Sequence, residues 1–220
     1  MNNATLARHF NNKHPKQDIF FCGRKLPGTN KQIAVDPKIF VTPTCGIIKK
    51  CLKERIKLSE DHDSNALLLQ KFVVDRIKYM RDINTAGCPE FWQFPFETIQ
   101  AGYGDCEDMA ILLATLMLAA GIPDFRVRVT TGLVTVDPKT AATGGHAYVT
   151  YLSEERTQWI PLDTCYLEDS KVPMAKKKLL NENKNYKNVL FSFNNKHCWA
   201  NKKFELVQRS EWENLVKDVQ

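Results

Sequence analysis

The chain has 220 residues, 43% of them hydrophobic and 25% charged, with a formal net charge of +6. That length and balance suit a globular protein with a sizeable core and exclude a disordered or fibrous chain. No apolar run reaches the length of a membrane span, and the opening MNNATLARHFNN has no signal-like apolar stretch, so a cytoplasmic location without membrane partners is expected.

Seven cysteines occur, an odd number, and no two form a C-x-x-C pair. Reduced thiols are the simple expectation, with no metal and no other cofactor. The lysine excess collects in surface-like stretches such as AKKKLLNENKNYKN, and without a motif it points to no specific nucleic-acid partner.

Residues 1–40 are polar and broken by Pro15, Pro27 and Pro37, with LPGTN as a turn; they read as an irregular N-terminal arm. Ile47, Ile48, Cys51, Leu52 and Ile56 recur at helical spacing and predict a helix over 44–58. The stretch SNALLLQKFVVDRIKYMRD predicts a longer helix, with Ser64 as its N-cap. The next segment, INTAGCPEFWQFPFETIQAGYG, is aromatic and proline-broken, and reads as a loop.

GDCEDMAILLATLMLAAGIP follows. Asp105 can cap a helix here, Glu107 and Asp108 lie in its first turn, and the apolar run is nearly unbroken. The helix is expected to be buried on most sides, stopped by Gly121 and Pro123. The period then changes to two in FRVRVTTGLV, HAYVTYL and QWIPLDT, three strand-like runs. A small-residue loop, TVDPKTAATGG, separates the first two. After 170, NVLFSFNN and KKFELV read as a hairpin, and SEWENLVKDV as a short closing helix with Ser210 and Glu213 spaced as a capping box. Helices, a buried helix and then an antiparallel meander make an α+β protein.

Cys106 carries the chemistry. A thiol in the first turn of a helix sits among free N–H groups, which favour a thiolate and can also receive an oxyanion. Gly102 and Gly104 permit positive φ and leave room beside the nucleophile. Of the five histidines only His146 begins a strand, directly after two glycines, where an imidazole can reach a helix terminus. Asp163 ends the next strand, and antiparallel pairing brings it beside His146 as the orienting carboxylate.

GYGDCEDMAILLATLMLAAGIP, GGHAYV and WIPLD, in this order, resemble the transglutaminase-like superfamily of papain-type thiol enzymes; FWQFPFETIQAGYGDCED resembles its microbial cysteine-peptidase branch. The resemblance spans roughly residues 65–166 and implies a papain-like core in which the cysteine-bearing helix packs on an antiparallel sheet. It implies Cys106 as nucleophile, His146 as general base and acid, and Asp163 as orienting residue. It also implies a second, upstream oxyanion donor, with Gln93 first choice and Trp92 and Gln100 next. Asp108 and Glu97 would hold the loop, and Tyr103, Phe91 and Trp92 would wall an apolar cleft.

The expected organisation is an arm at 1–40, a catalytic core at 41–170, and a C-terminal hairpin and helix at 171–220 extending that core. The expected function is a cysteine-dependent amide-bond enzyme working through a thioester on a protein or peptide substrate. Hydrolysis is favoured over amine transfer by analogy with small microbial members. The alternative is a non-catalytic structural or binding module on the same fold, for example a virion or large-assembly component contacting partners through the arm.

Overall fold

The computed structural model describes residues 2–14, 16–19, 21–26, 28–29, 31–137, 139–166 and 169–200. The strand expected at KKFELV and the closing helix lie outside the described residues. In chain order the elements are α1 (Asn3–Asn12), β1 (Phe21–Lys25), β2 (Gln32–Val35), α2 (Gly46–Arg55), α3 (His62–Arg76), β3 (Lys78–Tyr79), α4 (Asp82–Thr85), α5 (Pro95–Ala101), β4 (Tyr103–Gly104), α6 (Cys106–Ala119), β5 (Val127–Asp137), β6 (Ala142–Leu152), β7 (Trp159–Leu162), β8 (Tyr186–Phe193) and β9 (Cys198–Ala200).

The centre is α6 against a five-stranded antiparallel sheet of order β7-β6-β5-β8-β9. Every residue of α6 from Glu107 to Met117 is buried, as its nearly unbroken apolar run predicts. Val127 and Val129 of β5 and Ala147 and Val149 of β6 join Ile111, Leu112 and Leu113 in one core. Each such fully buried aliphatic side chain contributes about 1.5–3 kcal/mol from burial. Gly121, at φ +90°, ends the helix in the left-handed region, and Ile122 turns its N–H back to the Met117 carbonyl at 3.1 Å.

Several local expectations are corrected. The N-terminal segment is not irregular: it holds α1, the β1–β2 hairpin and a short 3₁₀ turn at Pro37–Phe40. Its polarity hid this, because the contacts that stabilise it are tertiary; Phe10 stacks on Phe125 and meets Trp159 edge-on. Asp61, not Ser64, caps α3, its carboxylate accepting from the Ser64 N–H at 2.7 Å. That helix stops at Arg76 because the chain then turns extended to pair Lys78 and Tyr79 with Tyr103 and Gly104.

The segment 83–104 is not simply a loop. Pro95 opens α5 at a position where its fixed φ and missing N–H cost nothing. The small-residue loop 135–145 is largely strand, with β5 and β6 running up to Asp137 and Ala142. NVLFSFNN forms β8 and does make a hairpin, but with Cys198–Ala200, and β8 pairs directly with β5 inside the main sheet.

Candidate active site

Three elements converge. Cys106 is the first residue of α6 and is half-buried. His146 lies on β6, and Asp163 follows β7 by one residue. His146 Nε2 is 2.8 Å from Asp163 Oδ2. The Cys106 thiol donates to Glu107 Oε2 at 3.2 Å, and it lies close enough to the imidazole to favour the charged ring. Burial works against a charged ring here, but the bonds to Asp163 and Cys106 prevail and raise the His146 pKa to about 10.

Asp163 is fully buried, which would favour its neutral form. The His146 ring, the Cys165 N–H and Tyr186 outweigh this and hold its pKa below the ordinary carboxylate value. Its Oδ1 accepts from the Cys165 and Tyr166 N–H groups at 2.9 and 3.2 Å, and its Oδ2 accepts from the Tyr186 hydroxyl at 2.9 Å. Gln70 donates to both the Asp163 carbonyl and Asp169 Oδ2, and Lys177 pairs with that same Asp169 oxygen at 2.7 Å. The aspartate is therefore fixed from both its side chain and its backbone.

The first turn of α6 is anchored by Asp108. Its Oδ1 accepts from the Gln93 N–H at 2.7 Å and its Oδ2 from the Asp105 N–H at 3.3 Å. Glu97 accepts from the Phe94 N–H at 2.6 Å and pairs with Arg24 at 2.8 Å. Both acids hold backbone, as expected. Gly102 is the left-handed C-cap of α5 at φ +73°. Gly104 is different: its φ is not in the left-handed region, and an added Cβ would lie 2.6 Å from the Asp108 Cβ. Its missing side chain makes room for Asp108, not for a substrate.

The secondary candidates scatter. Gln93 is buried and tied through its backbone to Asp108. Trp92 belongs to the core rather than to a cleft, stacked on Phe193 at 5.7 Å, edge-on to Phe40, and with its indole N–H on Glu90. Aromatic bulk drew it inward, and its one donor is used. Gln100 is exposed on α5, and Tyr103 is half-buried in the β3–β4 pair.

Other residues at the site had no sequence signal. Tyr186 comes from β8, and the Cys165 thiol offers a sulfur within 4.8 Å of both the His146 ring nitrogen and the Asp163 carboxylate. Burial, reinforced by Cys106 and Asp163, pushes the Cys165 thiol well up. Tyr79, just before α4, is likewise pushed up by burial and by the neighbouring Cys106 and Asp105.

Beneath Cys106 lies a group of acids. Asp82, Glu107 and Asp108 are buried, and Glu90 and Asp105 half-buried. Asp82, Asp105 and Asp108 offer oxygens within 4.8 Å of one another. Burial, and then mutual repulsion, raises Asp105 to about 7, raises Asp82, Glu90 and Asp108 to about 8, and lifts Glu107 well above its usual range. Asp82 Oδ1, Asp105 Oδ1 and Glu107 Oε1 are buried without a hydrogen-bond donor. Unmet, hard oxygen acceptors in this number fit a hard cation. The sequence expectation of no metal did not anticipate the cluster.

The model of the transglutaminase-like superfamily matches residues 50–164, more than half of the chain and inclusive of Cys106, His146 and Asp163. The chain belongs to the transglutaminase-like superfamily. No curated protein matches the sequence. Among solved structures, Legionella pneumophila LapG has a TM-score of 0.50 at 21% identity, covering 79% of this chain and 84% of LapG. EGTA-treated LapG gives the same values. Calcium-bound LapG has a TM-score of 0.50 at 20% identity, covering 79% of this chain and 86% of its own. At these identities the likeness is one of fold. No helix among the described residues is long and apolar enough to cross a membrane.

Proposed function

We propose that the chain is a cysteine peptidase or amidase that works through a Cys106–His146–Asp163 triad. The observation that carries this is the His146–Asp163 pair, 2.8 Å apart, beside a cysteine that opens α6 and favours the charged ring. The imidazolium is favoured by Asp163, and this ring is the group that would exchange a proton with the thiol.

Cys106 Sγ attacks the carbonyl carbon of an amide, and the developing oxyanion lies at the α6 N-terminus, where backbone N–H groups are free to receive it. The carbon–nitrogen bond breaks as His146 gives its proton to the departing amine. A thioester on Cys106 remains. His146, now neutral, takes a proton from water, which attacks the thioester and returns the thiolate and imidazolium. Attack by an amine in place of water would make the same site an acyltransferase.

The acids beneath Cys106 suit a calcium ion, with Asp82, Asp105, Glu107 and Asp108 as the residues that would hold it. Such an ion would neutralise the cluster and stiffen the turn that carries the nucleophile. The existence of calcium-bound and EGTA-treated LapG motivates testing this ion first.

The experiment is an amide-substrate screen with and without amine acceptors, with the acyl-enzyme trapped and weighed by mass spectrometry. Turnover should be lost in Cys106→Ala by on the order of a thousandfold or more. Turnover that survives this substitution would remove the proposal and favour the non-catalytic reading. Product carrying the added amine would identify acyl transfer.

A further inference from the structure

A cavity of about 200 Å³ lies apart from the triad. Along β5 and β6, Val127, Val129, Ala147 and Val149 join the core with α6. The alternate residues Arg128, Thr130 and Thr150 therefore belong to the other side of the strands. They line the cavity together with Ser192, Trp159 and Trp199. Thr150 is four residues along β6 from His146, and Tyr148, packed on Tyr186 at 4.5 Å, occupies the position between them.

Arg128 is the unusual member. It is only 4% exposed, and its guanidinium is sandwiched 3.9 Å from the Trp199 ring centre and 4.7 Å from that of Trp159. Nη2 donates to the Phe10 carbonyl at 2.7 Å, while Nε is buried with no acceptor. Guanidinium carries five N–H donors, and the bond to Phe10 is the one hydrogen bond it makes among the described residues. No carboxylate among the described residues pairs with it; the other buried arginine of β5's approach, Arg126, does have one in Glu154 at 3.4 Å. Burial alone lowers the Arg128 pKa to about 10, without any opposing acid. His14, also on the cavity wall, is lowered by burial and then by Arg128. A buried cation with no carboxylate partner is expensive, and proteins normally pair it.

We propose that this cavity binds a small organic carboxylate, its oxygens on the Arg128 guanidinium and its apolar body between the Trp159 and Leu180 side of the wall. The Thr130 and Thr150 hydroxyls, 2.8 Å apart, and Ser192 supply further polar contacts. The walls are mostly apolar, and the volume is close to that of a cavity that takes a benzene-sized molecule, roughly 150 Å³. Both features favour an organic acid over inorganic phosphate. The site requires neither the triad nor the acidic cluster, so it stands or falls separately from the proposed enzyme activity.

The test uses the full chain titrated with benzoate, with acetate, with inorganic phosphate and with neutral benzamide. Binding is followed by tryptophan fluorescence, melting temperature and the arginine Nε–H resonances. Benzoate should bind at millimolar concentration or better, raise the melting temperature and shift one arginine Nε–H signal, with benzamide inert. Arg128→Gln should weaken benzoate by about tenfold or more, as loss of a charge-assisted pair implies. If Arg128→Gln does not fold, Thr150→Val and the wild-type resonance shift carry the test. Equal responses to benzoate and benzamide, phosphate binding more tightly than benzoate, or no response to any carboxylate would each overturn the proposal.

Discussion

The Tyr186 hydroxyl donates to Asp163 Oδ2 at 2.9 Å, on the same oxygen that meets His146 Nε2 at 2.8 Å. A residue of β8, the strand that joins the sheet last but one, thus helps fix the acid of the candidate triad. Tyr186→Phe removes one of four donors to a buried carboxylate, and a hydrogen bond to a charged group matters more than a neutral one. The expected outcome is a fall in kcat of about tenfold with KM nearly unchanged. Steady-state kinetics on any amide substrate the screen identifies will check this. A change confined to KM would assign Tyr186 to substrate binding instead.

His146 should make stability depend on pH in a defined direction. Its pKa is raised from 6.5 to about 10 in the folded chain. A raised pKa means stability that is fully present below 6.5 and lost as pH climbs through about 10. Asp163 works at the other end: its lowered pKa contributes stability above 3.8 that is lost as pH falls through the lowered value. The difference in unfolding free energy between wild type and His146→Gln should shrink steadily across the alkaline window. Denaturant titrations at several pH values measure it, and a constant difference would contradict the ion-pair assignment.

Calcium should stabilise the chain and EGTA should reverse the effect. At free calcium a hundredfold above its Kd the gain would be about 2.7 kcal/mol. Magnesium should do less, because it tolerates crowded, irregular oxygen cages poorly. Asp82→Asn keeps the size of a buried ligand and removes its charge, so it should weaken the calcium response. Thermal melts with each ion decide the matter; identical melts in calcium and EGTA would sink the cation site.

Gly104→Ala should be costly although Gly104 has no special backbone angle. The new methyl group would meet the Asp108 Cβ at 2.6 Å, and Asp108 holds the Gln93 and Asp105 N–H groups. A destabilisation of about 1–3 kcal/mol is expected, with activity reduced as the nucleophile turn shifts. Gly145→Ala is the control, since nothing lies within 4 Å of its added Cβ. Urea unfolding of the two variants provides the comparison.

Much of this molecule is written locally. The nearly unbroken apolar run after Asp108 reads as a buried helix, and the period-two runs after it read as strands. Those patterns made the α+β class legible and singled out Cys106, His146 and Asp163 as candidates, although His146 lies inside β6 and does not begin it, because the strand runs back to Ala142. The hairpin at Phe21–Val35 and helix α1 were not legible, because polar segments of that kind gain their order from distant contacts such as Arg24 with Glu97 and Phe10 with Trp159.

Tertiary structure alone decided which side chains share an environment. It buried Trp92 away from the cleft, brought Tyr186 and Cys165 to the triad, and gathered acids from positions 82, 90, 105, 107 and 108 under one thiol. It also enclosed Arg128 between two tryptophans, one 31 and the other 71 residues downstream. Periodicity records which face of an element is apolar; it carries no information on which distant polar groups that element will meet. Charge and hydrogen-bond satisfaction are properties of those meetings, so they emerge only when the chain has closed on itself.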